Sequence, residues 1–411
     1  MRCSRLTPRM RTGRIPDGFS AAWREIDESN GRKGKSMWPI LVALTCGAGL
    51  DEKSGDRYED LARRIEAVVA KRDGQAFDAL LDLEPMLAEA TRGLAVSPAD
   101  MEAFKKGFRS SFSLSRHIFD ALQKSGTYTL LRLRRVDGRQ RAVFRMKGDT
   151  GFNYHEYIFS TGTDELRAQD LYVYMTGELM SQTLRRNAMN GFAGSKGFVA
   201  KLLGTDREYL KNMDKMKAMK EHLDRGEFQE GLAVYAKLPK SLRSEKTYLI
   251  ARLQLASGSG DNDAYVKAIE DFEKSHPGDP ALDLLSIDGF LLKKDYARAL
   301  ASIDRLDERV GGDPYLDVIR ANVHIEAGDP AKARECARRA LKKDPRIDDA
   351  LWSLVTLSLH EKDWKETVAL LGRLEKEFGA TIEVESVPLY EEFTKSPEYA
   401  RWKGSKKTKE E

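Results

Sequence analysis

The residues best suited to chemistry stand close together in two strand-like stretches, 151–159 and 170–175, which carry Tyr154, His155, Glu156, Tyr157, Asp170, Tyr172 and Tyr174. Phenol, imidazole and carboxylate groups gathered in one place could orient a polar ligand or move a proton, so these seven residues form the candidate pocket. Strand alternation puts Tyr154 with Glu156 on one face and His155 with Tyr157 on the other, and only one set can line a pocket. The unit His155-Glu156 lacks the second helical histidine of a zinc protease, and His324 has no second ligand four residues away, so no metal site is expected. The stretch Gly191-Phe-Ala-Gly194-Ser-Lys196 departs from the glycine-to-lysine spacing of a phosphate-binding loop and reads as a linker. Arg132, Arg134, Arg135, Arg139 and Arg141 bracket a hairpin and read as a solvated, edge-protecting face. With no nucleophile, base and orienting group in register, neither a catalytic residue nor a cofactor is expected.

The elements that must position these side chains lie in residues 55–200. Tyr58 to Lys71 and Asp100 to Lys124 have helical spacing, which predicts two or three opening helices. The period then shifts to two over residues 127–136, 139–146, 151–160 and 165–175, rich in aromatic and β-branched residues, and Asp137-Gly138 marks a tight hairpin. Four sequential strands with short connections predict an antiparallel meander covered on one face by the helices, an α+β domain. Helices followed by a long meander resemble the cone-shaped NTF2-like fold, with cystatin-like sheets as the competing reading; the resemblance rests on element order and transfers no functional residue.

Charge narrows the partners. Sixty-nine basic against sixty-five acidic residues leave a net +4 over 411 residues, too little for a chain-wide nucleic-acid footprint, so no nucleic-acid partner is expected. The chain is 41% hydrophobic and 33% charged, a charge load above the ~25% of ordinary globular proteins and suited to helical repeats with solvated faces. Cys3, Cys46 and Cys336 are scattered and odd in number, which excludes a disulfide framework. Residues 1–54 read as a basic disordered segment containing a short apolar run; residues 37–48 are too short to span a bilayer and have the make-up of a secretory signal. If translation starts at Met37 the protein is periplasmic or secreted, otherwise cytoplasmic. Membrane association is expected only through that signal or a lipid anchor at Cys46, a poor match to a bacterial lipoprotein site.

The second half of the chain repeats. Acidic residues stand at Glu227, Asp261, Asp295, Asp329 and Asp363, spaced 34 apart with no insertion. Four residues after each marker come Gly231, Tyr265, Ala299, Ala333 and Thr367; eight after come Tyr235, Ile269, Ile303, Ala337 and Leu371. Eleven before each marker stand Met216, Ile250, Leu284, Val318 and Trp352. These offsets put one apolar stripe on each of two helices per repeat. Gly226, Gly260 and Gly328 end first helices, and the pairs Asp279-Pro280, Asp313-Pro314 and Asp344-Pro345 open the next repeat. The 34-residue period, the small Ala321, Ala333 and Ala340, and the closing Pro345 resemble the tetratricopeptide repeat, in five copies over residues 205–380. Residues 381–403 read as a helical cap with Leu389, Tyr390, Phe393, Tyr399 and Trp402 as lids, and 404–411 as a disordered tail.

That resemblance implies an all-α solenoid whose groove is lined by first-helix residues, here Lys217, Lys220, Gln254, Asn322, Glu326 and Thr356 by position in the repeat. It implies a non-enzymatic scaffold that holds a protein or peptide, with the α+β domain docking elsewhere. The Lys/Asn/Arg set that grips a terminal carboxylate in chaperone-binding members is absent, so a chaperone C-terminus is not the expected ligand. The alternative is an NTF2-like small-molecule binder or enzyme recruited by its repeats, which requires a deep apolar cavity with a buried acid.

Overall fold

The computed structural model describes residues 52–410 except 124–125, 149–150, 163–164, 196–197, 199–201, 203 and 386. The candidate signal segment 37–48, Cys46 and Lys196 lie outside the described residues. The described chain packs as two compact units, one running to Gly289 and one beginning at Phe290.

Short polar residues set the helix starts of the first unit. Asp73, Asp82, Ser97 and Ser113 each accept a backbone N–H from the turn they precede, giving α2 (Gly74–Asp78), α3 (Leu83–Thr91), α4 (Pro98–Ser111) and α5 (Leu114–Leu122) after the long α1 (Glu52–Ala70). The expected run from Asp100 to Lys124 is therefore two helices, cut where Ser113 starts a new one, and among the described residues five helices rather than two or three precede the sheet.

The sheet is a five-stranded antiparallel meander of β1 (Thr127–Val136), β2 (Arg139–Gly148), β3 (Gly151–Phe159), β4 (Ala168–Val173) and β5 (Glu178–Leu179), paired in chain order. Asp137 and Gly138 both adopt positive φ, +50° and +76°, and close a two-residue turn that pairs Val136 with Arg139. The register of β1 slips at Leu131, so Leu130 lies opposite Phe144 while Arg132 lies opposite Val143. That bulge turns Arg132 and Arg134 away from the face occupied by Leu130, and Glu66 of α1 accepts the Leu130 N–H at 2.8 Å. The last long strand is shorter than its sequence pattern, and the two-residue β5 carries too little pattern to be read. Leu61, Ile65 and Val69 of α1, Phe77 of α2 and Ile118 of α5 pack on Phe144, Tyr157, Phe159 and Leu171 to form the domain core.

Helices α6 (Met180–Gly191) and α7 (Thr205–Lys211) lead into alternating first and second helices. First helices are α8 (Met213–Arg225), α11 (Lys246–Gly258), α13 (Pro280–Leu292), α15 (Pro314–Glu326) and α17 (Asp348–His360). Second helices are α9 (Phe228–Ala236), α12 (Asn262–Ser275), α14 (Tyr296–Val310), α16 (Pro330–Lys343) and α18 (Trp364–Phe378), with the one-turn α10 (Lys240–Arg243) following α9. Every acidic marker is the N-cap of its second helix, and Asp261, Asp295, Asp329 and Asp363 each accept a backbone N–H. Glu227 does not; its longer side chain meets His222 Nδ1 at 2.7 Å. Asp279 and Asp313 accept the N–H groups of Ala281 and Tyr315, but Asp344-Pro345 does not open a helix: Asp344 ends α16, and α17 begins at Asp348.

In the second unit Ala321, Ala333, Ala337, Leu351, Leu354, Val355 and Leu371 form one core with Val384, Tyr390, Phe393 and Tyr399. The last three come from a 3-10 turn (Pro388–Tyr390), α19 (Glu391–Thr394) and α20 (Pro397–Glu410), with Leu389 and Trp402 packed against them. Helix α20 continues through the residues expected to form a disordered tail, to Glu410.

Candidate functional site

Strand β3 carries His155 and Tyr157 on the helix-covered face. Tyr128 donates its hydroxyl to Tyr157 at 3.0 Å and lies 2.9 Å from His155 Nδ1, while the Asn153 amide nitrogen is 3.4 Å from Nε2. One proton arrangement satisfies all four groups: Nδ1–H donates to Tyr128, and Asn153 donates to Nε2 of a neutral imidazole. Burial pushes the His155 pKa down to about 4 and raises those of Tyr128 and Tyr157. The rings of Phe144 and Phe77, 5.4 and 6.5 Å from that of Tyr157, complete the packing.

The opposite face has its own network. Glu156, 3% exposed in its side chain, accepts from Arg134 at 2.6 and 2.9 Å, with Arg141 at 3.7 Å and the Tyr174 hydroxyl at 3.4 Å. Arg134 and Arg141 are thus drawn inward by a buried carboxylate, a correction to the solvated arginine face, because an unpaired buried glutamate would cost more than ordering two guanidinium groups. Asp170 accepts from the Leu171 N–H and from both the N–H and hydroxyl of Ser181, tying β4 to the start of α6. Tyr154 and Tyr172 pack edge-on against Tyr174. The seven expected pocket residues therefore do come together, but as two networks on opposite faces, with Tyr154, Tyr157 and Tyr174 fully buried. Packing takes the place of the expected pocket there. Among the described residues, no three His, Cys, Asp or Glu side chains converge as a metal site would.

The first-helix candidates also divide. Lys217 and Glu326 are exposed. Lys220 is held by Asp224 at 2.8 Å, Asn322 accepts from the Ser353 hydroxyl at 2.8 Å, and Thr356 turns its hydroxyl onto the Trp352 carbonyl at 3.1 Å. Gln254 is a correction: it is 5% exposed, since α11 is buried on most of its circumference, and its Nε2 has no hydrogen-bond partner.

Within the first unit the α+β domain meets the first helices directly. Gly177, in the turn between β4 and β5 at φ +64°, offers its carbonyl to Lys246 Nζ at 2.7 Å, and Lys246 pairs with Asp279 at 2.5 Å. A Cβ at position 177 would stand 2.8 Å from Lys246 Cδ, 2.9 Å from Ala281 Cβ and 3.1 Å from Ile250 Cδ1. The turn therefore seats against α11 and α13 only as glycine. Beside it the Glu178–Arg186 ion pair reaches Thr247, and the charge of Glu178 raises the Arg186 pKa although burial alone would lower it.

With this geometry in place, the chain can be compared with known proteins. Residues 320–377, from within α15 to near the end of α18, match the family model described as Tetratricopeptide repeat. Over these residues the helical C-terminal region is similar to the tetratricopeptide repeat. Such repeats are a protein-interaction module in general. Comparison with curated proteins gives no match. Among the residues that sequence reasoning missed, Gly177, Lys246 and Arg186 matter most to the repeat array. Gly177 carried a turn signal, but the helices it seats against lie roughly 70 or more residues away, as the Lys246 contact shows, a separation that no local pattern encodes.

Proposed function

We propose that the protein is a non-enzymatic adaptor whose tetratricopeptide repeats hold a protein or peptide along their first helices. The family match at residues 320–377, continued by the 34-residue register of second helices capped from Asp261 to Asp363 and marked again at Glu227, carries this reading. Lys217 in the first unit and Glu326 in the second are the exposed first-helix candidates of their units. The α+β domain serves as a fixed support for the first repeats through the Gly177 turn, and its polar residues hold the sheet together.

The test uses the full chain as bait in a crosslinked pull-down from native lysate, membrane fraction included. A Lys217→Glu/Glu326→Lys variant, altered at exposed sites, serves as control. A partner recovered by the natural sequence and depleted with the variant supports the adaptor reading. A partner held equally by both removes the first helices from its binding site.

A further inference from the structure

The second helix of the first repeat is short. Helix α9 has 9 residues, whereas α12, α14, α16 and α18 have 14, 15, 14 and 15. Pro239 stops it, because proline lacks the N–H that a continuing helix would use and its ring clashes with the preceding turn. The missing turn leaves room for a cavity of about 550 Å³ bounded by the end of α9 with α10, α11 and α12. That volume lies within the ~300–1,000 Å³ of ordinary ligand sites.

Leu232, Leu249 and the ring of Tyr235 give the cavity an apolar wall. Tyr235 is fixed there: its hydroxyl donates to the Arg243 carbonyl at 2.9 Å, and the Arg252 guanidinium lies 5.5 Å over its ring. Four cations, Lys240, Arg243, Arg252 and Lys274, line the cavity against one carboxylate, Asp271. Asp271 is already engaged, by Arg252 at 2.7 Å and Lys267 at 3.0 Å. Lys240, Arg243 and Lys274 make no ion pair among the described residues.

We propose that this cavity docks an acidic peptide segment of a partner protein, with one apolar side chain seated against Leu232, Leu249 and Tyr235 and flanking carboxylates on Lys240, Arg243 and Lys274. A small anion would need buried donors converging on one point. Here the uncommitted cations are exposed and come from two helices, α10 and α12, an arrangement that matches charges spaced along a chain. The first helix α11 contributes Leu249 and Arg252 to the wall, but the cavity includes neither Lys217 nor Glu326, so variants at those two positions test the adaptor reading separately.

The test is fluorescence anisotropy of the full chain with a fluorescein-labelled Asp-Glu-Leu-Phe-Glu-Asp peptide. The proposal expects binding that weakens as salt rises. It expects a loss of about tenfold or more in a Lys240→Glu/Arg243→Glu/Lys274→Glu variant, whose changes are all at exposed positions. Ala236→Phe, at an exposed wall position, should weaken binding by narrowing the cavity, while Lys217→Glu/Glu326→Lys should leave it unchanged. Circular dichroism confirms that each variant is folded. Absence of binding to the natural sequence, equal affinity in the triple variant, loss confined to the first-helix variant, or displacement by millimolar inorganic phosphate would each overturn the proposal.

Discussion

Lys294 and Lys362 hold φ at +57°, in the places where Gly226, Gly260 and Gly328 end the first helices of the other repeats. A side chain in this left-handed conformation costs about 1 kcal/mol, so Lys294→Gly and Lys362→Gly should each raise stability by about 0.5–1 kcal/mol. Lys362 gives up only an exposed ion pair to Glu392, worth little in water. Thermal melts of the single variants check this, and a lowered midpoint would show that the lysines make contacts worth more than the strain. His155 supplies a pH dependence. It stays neutral in the fold down to about pH 4 but takes up a proton near its ordinary 6.5 when unfolded. The unfolded chain therefore binds more protons between those values, and stability is lost as the pH drops through that window, by about 3 kcal/mol in all, with no effect above it. Urea titrations of the natural sequence and His155→Gln should show a stability difference that shrinks from pH 6.5 to 4, whereas parallel curves would mean that His155 is not held neutral. The identity of this histidine was plain in the sequence, but its depressed basicity was not, because that follows from Tyr128, Phe144 and Asn153 closing around it.

At the scale of elements, the 34-residue register was legible because each marker does a local job that its own residue type performs. Aspartate reaches the N–H two or three residues on, and glutamate at 227 does not. Glu227→Asp should therefore stabilise α9 by up to ~1 kcal/mol, less whatever the His222 contact contributes, and Asp329→Ala should destabilise α16 by about 1 kcal/mol. Hydrogen exchange in the first turn of each helix reads both changes. The seating of the β4–β5 turn is a different kind of contact. Gly177→Val meets three side chains closer than contact distance and forces a branched residue into positive φ. It should cost roughly 2–3 kcal/mol and speed exchange in α11, while leaving the His155 network protected. Unchanged exchange in α11 would show that the turn does not brace that helix.

For the molecule as a whole, the end of the repeats has to be covered. Val384, Tyr390, Phe393 and Tyr399 share a core with α16, α17 and α18, and Trp364 lies 5.9 Å from Phe393. A chain ending at residue 380 should lose several kcal/mol, at about 1.5–3 for each large side chain whose burial is removed, and should bind an apolar-surface dye. A truncated chain with an unchanged melting midpoint would mean that the last helices are dispensable for the fold.

The sequence by itself determined the features that depend on near neighbours: the helix periods, the Asp137-Gly138 turn, the acidic caps and the aromatic lids at the C-terminal end. Tertiary structure alone decided that the tyrosine, histidine and glutamate side chains of β3 and β4 form two closed networks, that Arg134 and Arg141 turn inward to Glu156, that Gln254 is buried, and that Gly177 seats on Lys246 and Ala281. The reason is physical. A cap or a turn is a contact across two to four residues, and its free energy is written in the residues that make it. Burial depends on which distant surfaces arrive, and in β3 both faces are covered, so period-two alternation could separate the two sets of side chains but could not say what each would meet.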